Sequence, residues 1–298
     1  MVSRRGFVGV AAGAFAAAAG TGCSSLCCFE DRKPKFLFGA CREIGDAQIL
    51  KDAGFDFIEQ GVVKLLAPDM PDAEYAAKLL PQSKKCVLPI RSCNGFLPWG
   101  MKISGPEDTL QWDAAFKFAD VAFRRADELG IKYIVLGSGG ARKAPDGFPR
   151  EKALEQFVEF CKRLAGRMDK GKFRVKVVLE PLRAAECNIF NYVEQGIGLV
   201  DRIGSPHVQL LADIYHMCSG NERPDVFAKA GKRILHCHIA TRAHRMAPGF
   251  EQDDLSEYLK ALAATGYSGG VSIEGSWKDR PFQEAVAPAI ELLREWSA

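Results

Sequence analysis

Eight times between residues 36 and 296, a short apolar run is followed by a longer amphipathic stretch. The runs lie at 36–40, 55–59, 86–93, 131–136, 173–180, 207–213, 233–239 and 270–274. Runs of this length, rich in Val, Ile, Leu and Phe, predict strands buried on both faces. The stretches at 46–53, 71–80, 109–129, 150–168, 189–202, 223–230, 254–264 and 282–296 predict helices. Gly54 and Gly130 stand where two of these helices should end. Pro71 suits a helix start, and Pro81 should stop the same helix. Strand followed by helix, eight times over, predicts a single (β/α)8 TIM barrel across residues 36–298. An open doubly wound sheet would carry a dinucleotide fingerprint in its first turn, and Gly39-Ala40-Cys41-Arg42 is not one.

Four of the runs close on a polar residue: Glu180, Asp213, His238 and Glu274. The intervals between them are 33, 25 and 36 residues, about one strand–helix unit each. In a closed barrel such strand ends converge on one mouth. Three carboxylates and an imidazole gathered there are costly unless a positive charge sits among them. One divalent metal ion meets that need. An oxygen-rich set with one nitrogen suits Mn²⁺ first, with Co²⁺, Mg²⁺ or Zn²⁺ as alternatives, and does not suit a sulfur-bound structural zinc. His236 points to the same side of its strand as His238 and is the rival ligand, expected to pack deeper.

Further polar residues follow the strand ends. Glu186 lies six beyond Glu180, His216 three beyond Asp213, and His244 and Arg245 six and seven beyond His238. Together they could line a pocket for a sugar's hydroxyls; each alone also reads as a solvated loop charge. The loop 94–103 should cross the barrel mouth, where Phe96, Trp99 and Met101 either cover an apolar face of a sugar ring or pack on the rim. Gly137-Ser138-Gly139-Gly140 fits neither common phosphate-loop pattern and is read as a place of close backbone approach.

Composition narrows the class. A chain of 298 residues, 47% hydrophobic, supports one large domain with a full core. Its net charge of +3 gives no argument for a nucleic-acid partner. Residues 1–22 carry Arg4 and Arg5 before a weakly apolar Ala/Gly stretch, the pattern of a twin-arginine export leader, and 23–35 read as a tether. Gly22-Cys23 resembles a lipoprotein processing site, so the expected location is periplasmic or anchored to the membrane by a lipid on Cys23. Ten cysteines without any CxxC pair are expected to be mostly buried free thiols, since a core of this size needs no disulfide framework. A homo-oligomer stays open.

The motifs Val178-Leu179-Glu180-Pro181, Leu211-Ala212-Asp213-Ile214-Tyr215-His216, His236-Cys237-His238-Ile239-Ala240 and Val271-Ser272-Ile273-Glu274-Gly275 carry a resemblance over residues 36–296. The chain resembles the xylose isomerase-like barrel superfamily, the sugar isomerase/epimerase group that includes ketose 3-epimerases and inosose dehydratases. The resemblance implies a metal held by Glu180, Asp213, His238 and Glu274, with Glu180 and Glu274 also acting as catalytic acid/base groups. It further implies that Glu186 and His216 bind the sugar, and that an arginine after the metal histidine contacts substrate. His244 takes one register for that position and Arg245 the next. A related barrel that cleaves abasic DNA uses a His-rich three-metal cluster, for which five histidines are few.

The implied reaction begins with removal of the acidic proton beside a sugar carbonyl. A bound metal stabilises the enediolate that results. The expected enzyme is therefore an epimerase or isomerase of an unphosphorylated sugar or keto-sugar. A metal-dependent dehydratase or lyase, eliminating from a keto-sugar or 3-keto-glycoside, shares the first step. A non-catalytic sugar-binding lipoprotein is the third reading.

Overall fold

The computed structural model describes residues 36–278 and 280–298; the leader, the tether and Cys23 lie outside the described residues. Eight parallel strands close into one barrel in sequence order. They are β1 (Leu37–Cys41), β2 (Phe57–Glu59), β3 (Ile90–Cys93), β4 (Tyr133–Leu136), β5 (Lys176–Leu179), β6 (Val208–Asp213), β7 (Ile234–Ile239) and β8 (Gly270–Ile273). Pairing of β1 with β8, from Leu37 opposite Gly270 to Ala40 opposite Ile273, closes the ring. This is the (β/α)8 barrel that the alternation of the sequence implies.

Period-two alternation assigns each strand residue to one of two environments. Ile134, Leu136, Val177, Leu179, Leu210, Ala212, Cys237, Ile239, Val271 and Ile273 face outward into the main core beneath the helices. Val135, Val178 and Leu211 form a separate apolar cluster inside the barrel, where a TIM barrel packs side chains in layers. The helices answer with small and aromatic residues at spacings of three and four. Trp112–Leu129 buries Ala115, Phe116, Ala119, Ala122, Phe123 and Ala126. A fully buried Phe123 contributes roughly 3 kcal/mol relative to exposure. Gly130, at φ 72°, ends this helix in the left-handed conformation expected of it.

Several boundaries fall a few residues from expectation, and three of them have a clear backbone reason. The third strand begins at Ile90 rather than at residue 86, because Cys86 N–H turns back to the Ser83 carbonyl and Pro89 offers no donor. The fifth begins at Lys176 rather than 173, because Phe173 N–H donates to Met168 and Arg174 N–H to the Asp127 carboxylate. Pro81 does not simply stop a helix. It lies in the first turn of a further one, Leu80–Lys84, where its missing N–H costs nothing. The described cysteines, from Cys41 to Cys237, are all free thiols, as expected for a core of this size.

Candidate metal centre

Glu180, Asp213, His238 and Glu274 each stand two residues beyond an inward-facing position: Val178, Leu211, His236 and Ser272. Parity therefore brings all four side chains above the apolar layer at one mouth. One ligand atom from each lies within 4.8 Å of the others. The protein holds one end of most of these groups and turns the other inward. Asp213 is the N-cap of the helix Ile214–Ser219, with Oδ1 accepting from Tyr215 N–H at 2.8 Å and His216 N–H at 3.4 Å. Glu274 Oε1 accepts from Asn94 Nδ2 at 2.7 Å. His238 Nε2 is 3.0 Å from Glu59 Oε1. What remains turned inward is Asp213 Oδ2, Glu274 Oε2, Glu180 Oε1 and His238 Nδ1.

The spacing and the bonding state of these atoms suit a shared ion. His238 Nδ1 is 3.1 Å from Glu274 Oε2 and 3.5 Å from Glu180 Oε1. Octahedral ligands at about 2.1 Å from one ion stand about 3.0 Å apart. Glu180 Oε1, His238 Nδ1 and His216 Nε2 are buried without a hydrogen-bond partner. Buried polar atoms are seldom left so, and the two that can act as acceptors, Glu180 Oε1 and His238 Nδ1, fit a divalent cation between them. Glu180, Asp213, His238 and Glu274 would hold it.

Electrostatics carry the same message. Burial, reinforced by the charge of Glu274, raises the Glu180 carboxyl above its ordinary range. Burial also pushes against ionisation of Glu274, but His238 and Arg245 outweigh it and hold that carboxyl low. For His238, burial favours the neutral ring, yet Glu59 and Glu274 override it and raise the imidazole well above its usual value. These are the signs of negative charge packed more densely than the side chains alone balance.

Arg245 reaches the centre, with Nη2 at 2.6 Å from Glu274 Oε2 and 3.2 Å from Asp213 Oδ2, and Nη1 at 3.7 Å from Glu186 Oε1. His244 does not. Its side chain is 78% exposed and pairs with Glu251, because the turn sends consecutive residues to opposite sides. His216 is buried, its Nε2 at 3.5 Å from Asp213 Oδ2, 3.9 Å from Glu180 Oε1 and 4.0 Å from Glu186 Oε2. Its Nδ1 accepts from Arg183 N–H at 3.3 Å, which leaves the proton on the inward nitrogen. Phe96 is core, packed on Phe123 with ring centroids 5.7 Å apart, and cannot cover a substrate. Trp99 is 76% exposed and lies over Gly140.

Several groups at the centre were not singled out by sequence reading. Glu59, fully buried, closes a short apolar run just as Glu180 does, so its signal was present. Asn94 and Arg142 carried none. Arg142 is buried and donates to the Gly137 and Glu180 carbonyls at 2.7 and 2.5 Å, tying the ends of β4 and β5 together. The glycine run is a place of close approach, as read: a Cβ on Gly137 would stand 2.1 Å from Glu180 Oε2. A cavity of about 620 Å³ opens beside the cluster, bordered by Cys41, Arg42, Glu59, Gln60, Lys64 and Asn94.

Residues 47–296 match the family model described as xylose isomerase-like TIM barrel. The chain belongs to this family. A probable ketose 3-epimerase of Synechocystis sp. is 25% identical over 287 residues, covering 88% of this chain and 94% of that protein. The 3-dehydro-D-guloside 4-epimerase of Escherichia coli is 30% identical over 122 residues, 40% of this chain and 45% of that one. Among solved structures, a 3-keto-D-glucoside 4-epimerase from Escherichia coli superposes with a TM-score of 0.74 at 19% identity, covering 88% of this chain and all of that one. A D-psicose 3-epimerase from Clostridium cellulolyticum H10 gives 0.73 at 18% identity, over 89% and 96% of the two chains. The structural likenesses establish the xylose isomerase-like fold and nothing finer.

Proposed function

We propose that this member of the xylose isomerase-like family is a divalent-metal-dependent epimerase or isomerase of a keto-sugar. The reading rests chiefly on Glu180, Asp213, His238 and Glu274, whose inward atoms converge while the outer atoms of the last three are held by the protein. The sugar 3- and 4-epimerases among its relatives support the substrate class.

When bound, the ion, Mn²⁺ by preference, supplies a positive charge for the oxygens of a carbonyl and its neighbouring hydroxyl. The chain's own groups do the rest. Glu274, whose carboxyl, despite burial, His238 and Arg245 hold low and therefore ionised, takes the proton beside the carbonyl. Glu180, reaching in from another strand with its carboxyl raised by burial and by Glu274, returns a proton from the other side. His216, with its proton on Nε2, and Glu186 hold hydroxyls, and Arg245 offers a cation to a substrate oxygen. The two cations bordering the adjacent cavity are already paired, Arg42 with Asp46 at 2.6 Å and Lys64 with Glu43. Such a cavity favours neutral hydroxyls over a phosphate, in keeping with an unphosphorylated substrate. Two carboxylates beside the same set of ligands argue against a merely sugar-binding protein, which needs no such pair.

Incubation of free ketoses, aldoses and 3-keto-glycosides in D₂O with Mn²⁺ tests the reading. Deuterium should enter at one carbon beside the carbonyl, and Glu→Gln at 180 or 274 should suppress it. Inversion marks an epimerase, transfer to the neighbouring carbon an isomerase, and loss of a hydroxyl or aglycone a lyase. Turnover without solvent exchange, undiminished in both glutamine variants, refutes the mechanism.

A further inference from the structure

We propose that Glu59, at the end of β2, is a positioning residue that holds His238 by Nε2 and so presents Nδ1 to the divalent ion; this rests on the metal-centre reading above. Glu59 is fully buried. Burying a carboxylate costs several kcal/mol unless its lone pairs are satisfied. Here three donors satisfy them: Ser92 Oγ at 2.7 Å and His236 Nε2 at 2.7 Å on Oε2, and His238 Nε2 at 3.0 Å on Oε1. An ionised carboxylate only accepts hydrogen bonds, so both imidazoles must carry a proton on Nε2. The Nδ1 of His238 is thereby left for the ion, 3.1 Å from Glu274 Oε2 and 3.5 Å from Glu180 Oε1. A ligating histidine whose far nitrogen is held by a carboxylate is both oriented and made more basic.

Packing keeps Glu59 itself in place. The His236 ring stacks against Tyr133 with centroids 5.8 Å apart and meets Phe57 at 6.0 Å. On its other edge the ring lies against Gly270, where an added Cβ would stand only 3.1 Å from His236 Nδ1. His236 therefore fixes Oε2, and Oε1 becomes the fixed point for His238. This gives His236, the rival ligand of the sequence, a place one step removed from the ion. Glu59, His236 and His238 are close enough to hold an ion of their own. Their contacts are nonetheless hydrogen bonds in length and partner, and an ion there would have to displace both imidazole protons.

The test uses the full chain and Mn²⁺ as the probe. Titration should give one ion per wild-type chain. Glu59→Gln, which keeps one acceptor, should weaken binding by roughly 10- to 100-fold, and Glu59→Leu, which keeps none, by at least as much. Melting temperatures of the metal-free variants separate this loss from unfolding, since a merely structural residue would lower stability without changing affinity. A second measurement needs no variant. In ¹⁵N-histidine-labelled wild type loaded with Zn²⁺, His238 should show a slowly exchanging proton on Nε2 and a metal-bound Nδ1. Wild-type affinity in both variants, a second ion lost with Glu59, or coordination through Nε2 overturns the proposal. Asp213→Ala keeps the two readings apart. Undiminished binding in that variant refutes the metal centre itself, whereas its loss there beside normal binding in the Glu59 variants refutes only the positioning role.

Discussion

Replacing Gly137 by Ala adds one methyl group at the point where β4 meets the barrel mouth. Its backbone lies outside the left-handed region, so alanine introduces no conformational strain. The new Cβ would stand 2.1 Å from Glu180 Oε2 and 3.2 Å from Cδ, whereas real Cβ contacts essentially never fall below 3.0 Å. The carboxylate must retreat by about 0.9 Å. Rotating it off its preferred rotamer costs about 1 kcal/mol of stability, so the fold survives. Function should suffer more. A misplacement of about 1 Å at a reacting group costs on the order of 100-fold in rate, or about 2.7 kcal/mol. We expect kcat/KM and the rate of solvent deuterium exchange to fall by about that factor, and Mn²⁺ affinity to fall with them. Gly198→Ala is the control, because nothing lies within 4 Å of its added Cβ and its helix should gain up to about 1 kcal/mol. Steady-state kinetics, a Mn²⁺ titration and a melting curve on both variants decide the matter. A folded Gly137→Ala protein with wild-type turnover and affinity would show that the position of the Glu180 carboxylate is not what the reaction depends on.

Far from the site, Arg125 is buried and donates to the carbonyls of Leu66, Ala67 and Met70 at 2.8, 2.6 and 2.7 Å. Arg125→Ala orphans these acceptors and should cost about 3 kcal/mol. The melting temperature should fall by roughly 6–12 °C, with kcat/KM unchanged below the transition. Alkaline pH should destabilise the protein. Burial, aided by Glu59, raises the Cys93 thiol well above its ordinary value, and burial pushes Tyr75 up to about 12. The folded state therefore keeps protons that the unfolded chain releases, and stability should decline as pH rises beyond about 9. A denaturation midpoint that is flat or rising from pH 9 to 11 would contradict this. The leader reading predicts a processed N-terminus on the outer side of the cytoplasmic membrane, at a lipid-bearing Cys23 in the lipoprotein form or cut elsewhere in a soluble periplasmic one. Mass spectrometry of the purified N-terminus checks it, and an intact Met1 would refute it.

Sequence alone sufficed for the barrel, because the repeat of apolar run and amphipathic stretch admits few other ways to bury every strand face. It also sufficed to single out Glu180, Asp213, His238 and Glu274, since each closes such a run and a barrel brings consecutive strand ends together. It could not choose between His244 and Arg245. Neighbours on a turn point in opposite directions, and only the folded turn directs Arg245 to Asp213 and leaves His244 with Glu251. Nor could it separate Phe96, which packs in the core, from Trp99, which faces solvent in the same loop. Glu59 was legible as a polar residue at a strand end, yet its partners lie 33, 177 and 179 positions away. Hydrogen bonds between such distant residues follow from the register of closed strands, which local pattern does not encode. Gly137 divides the two: its glycine run reads as a place of close approach, but what approaches it appears only when β5 brings the Glu180 carboxylate alongside.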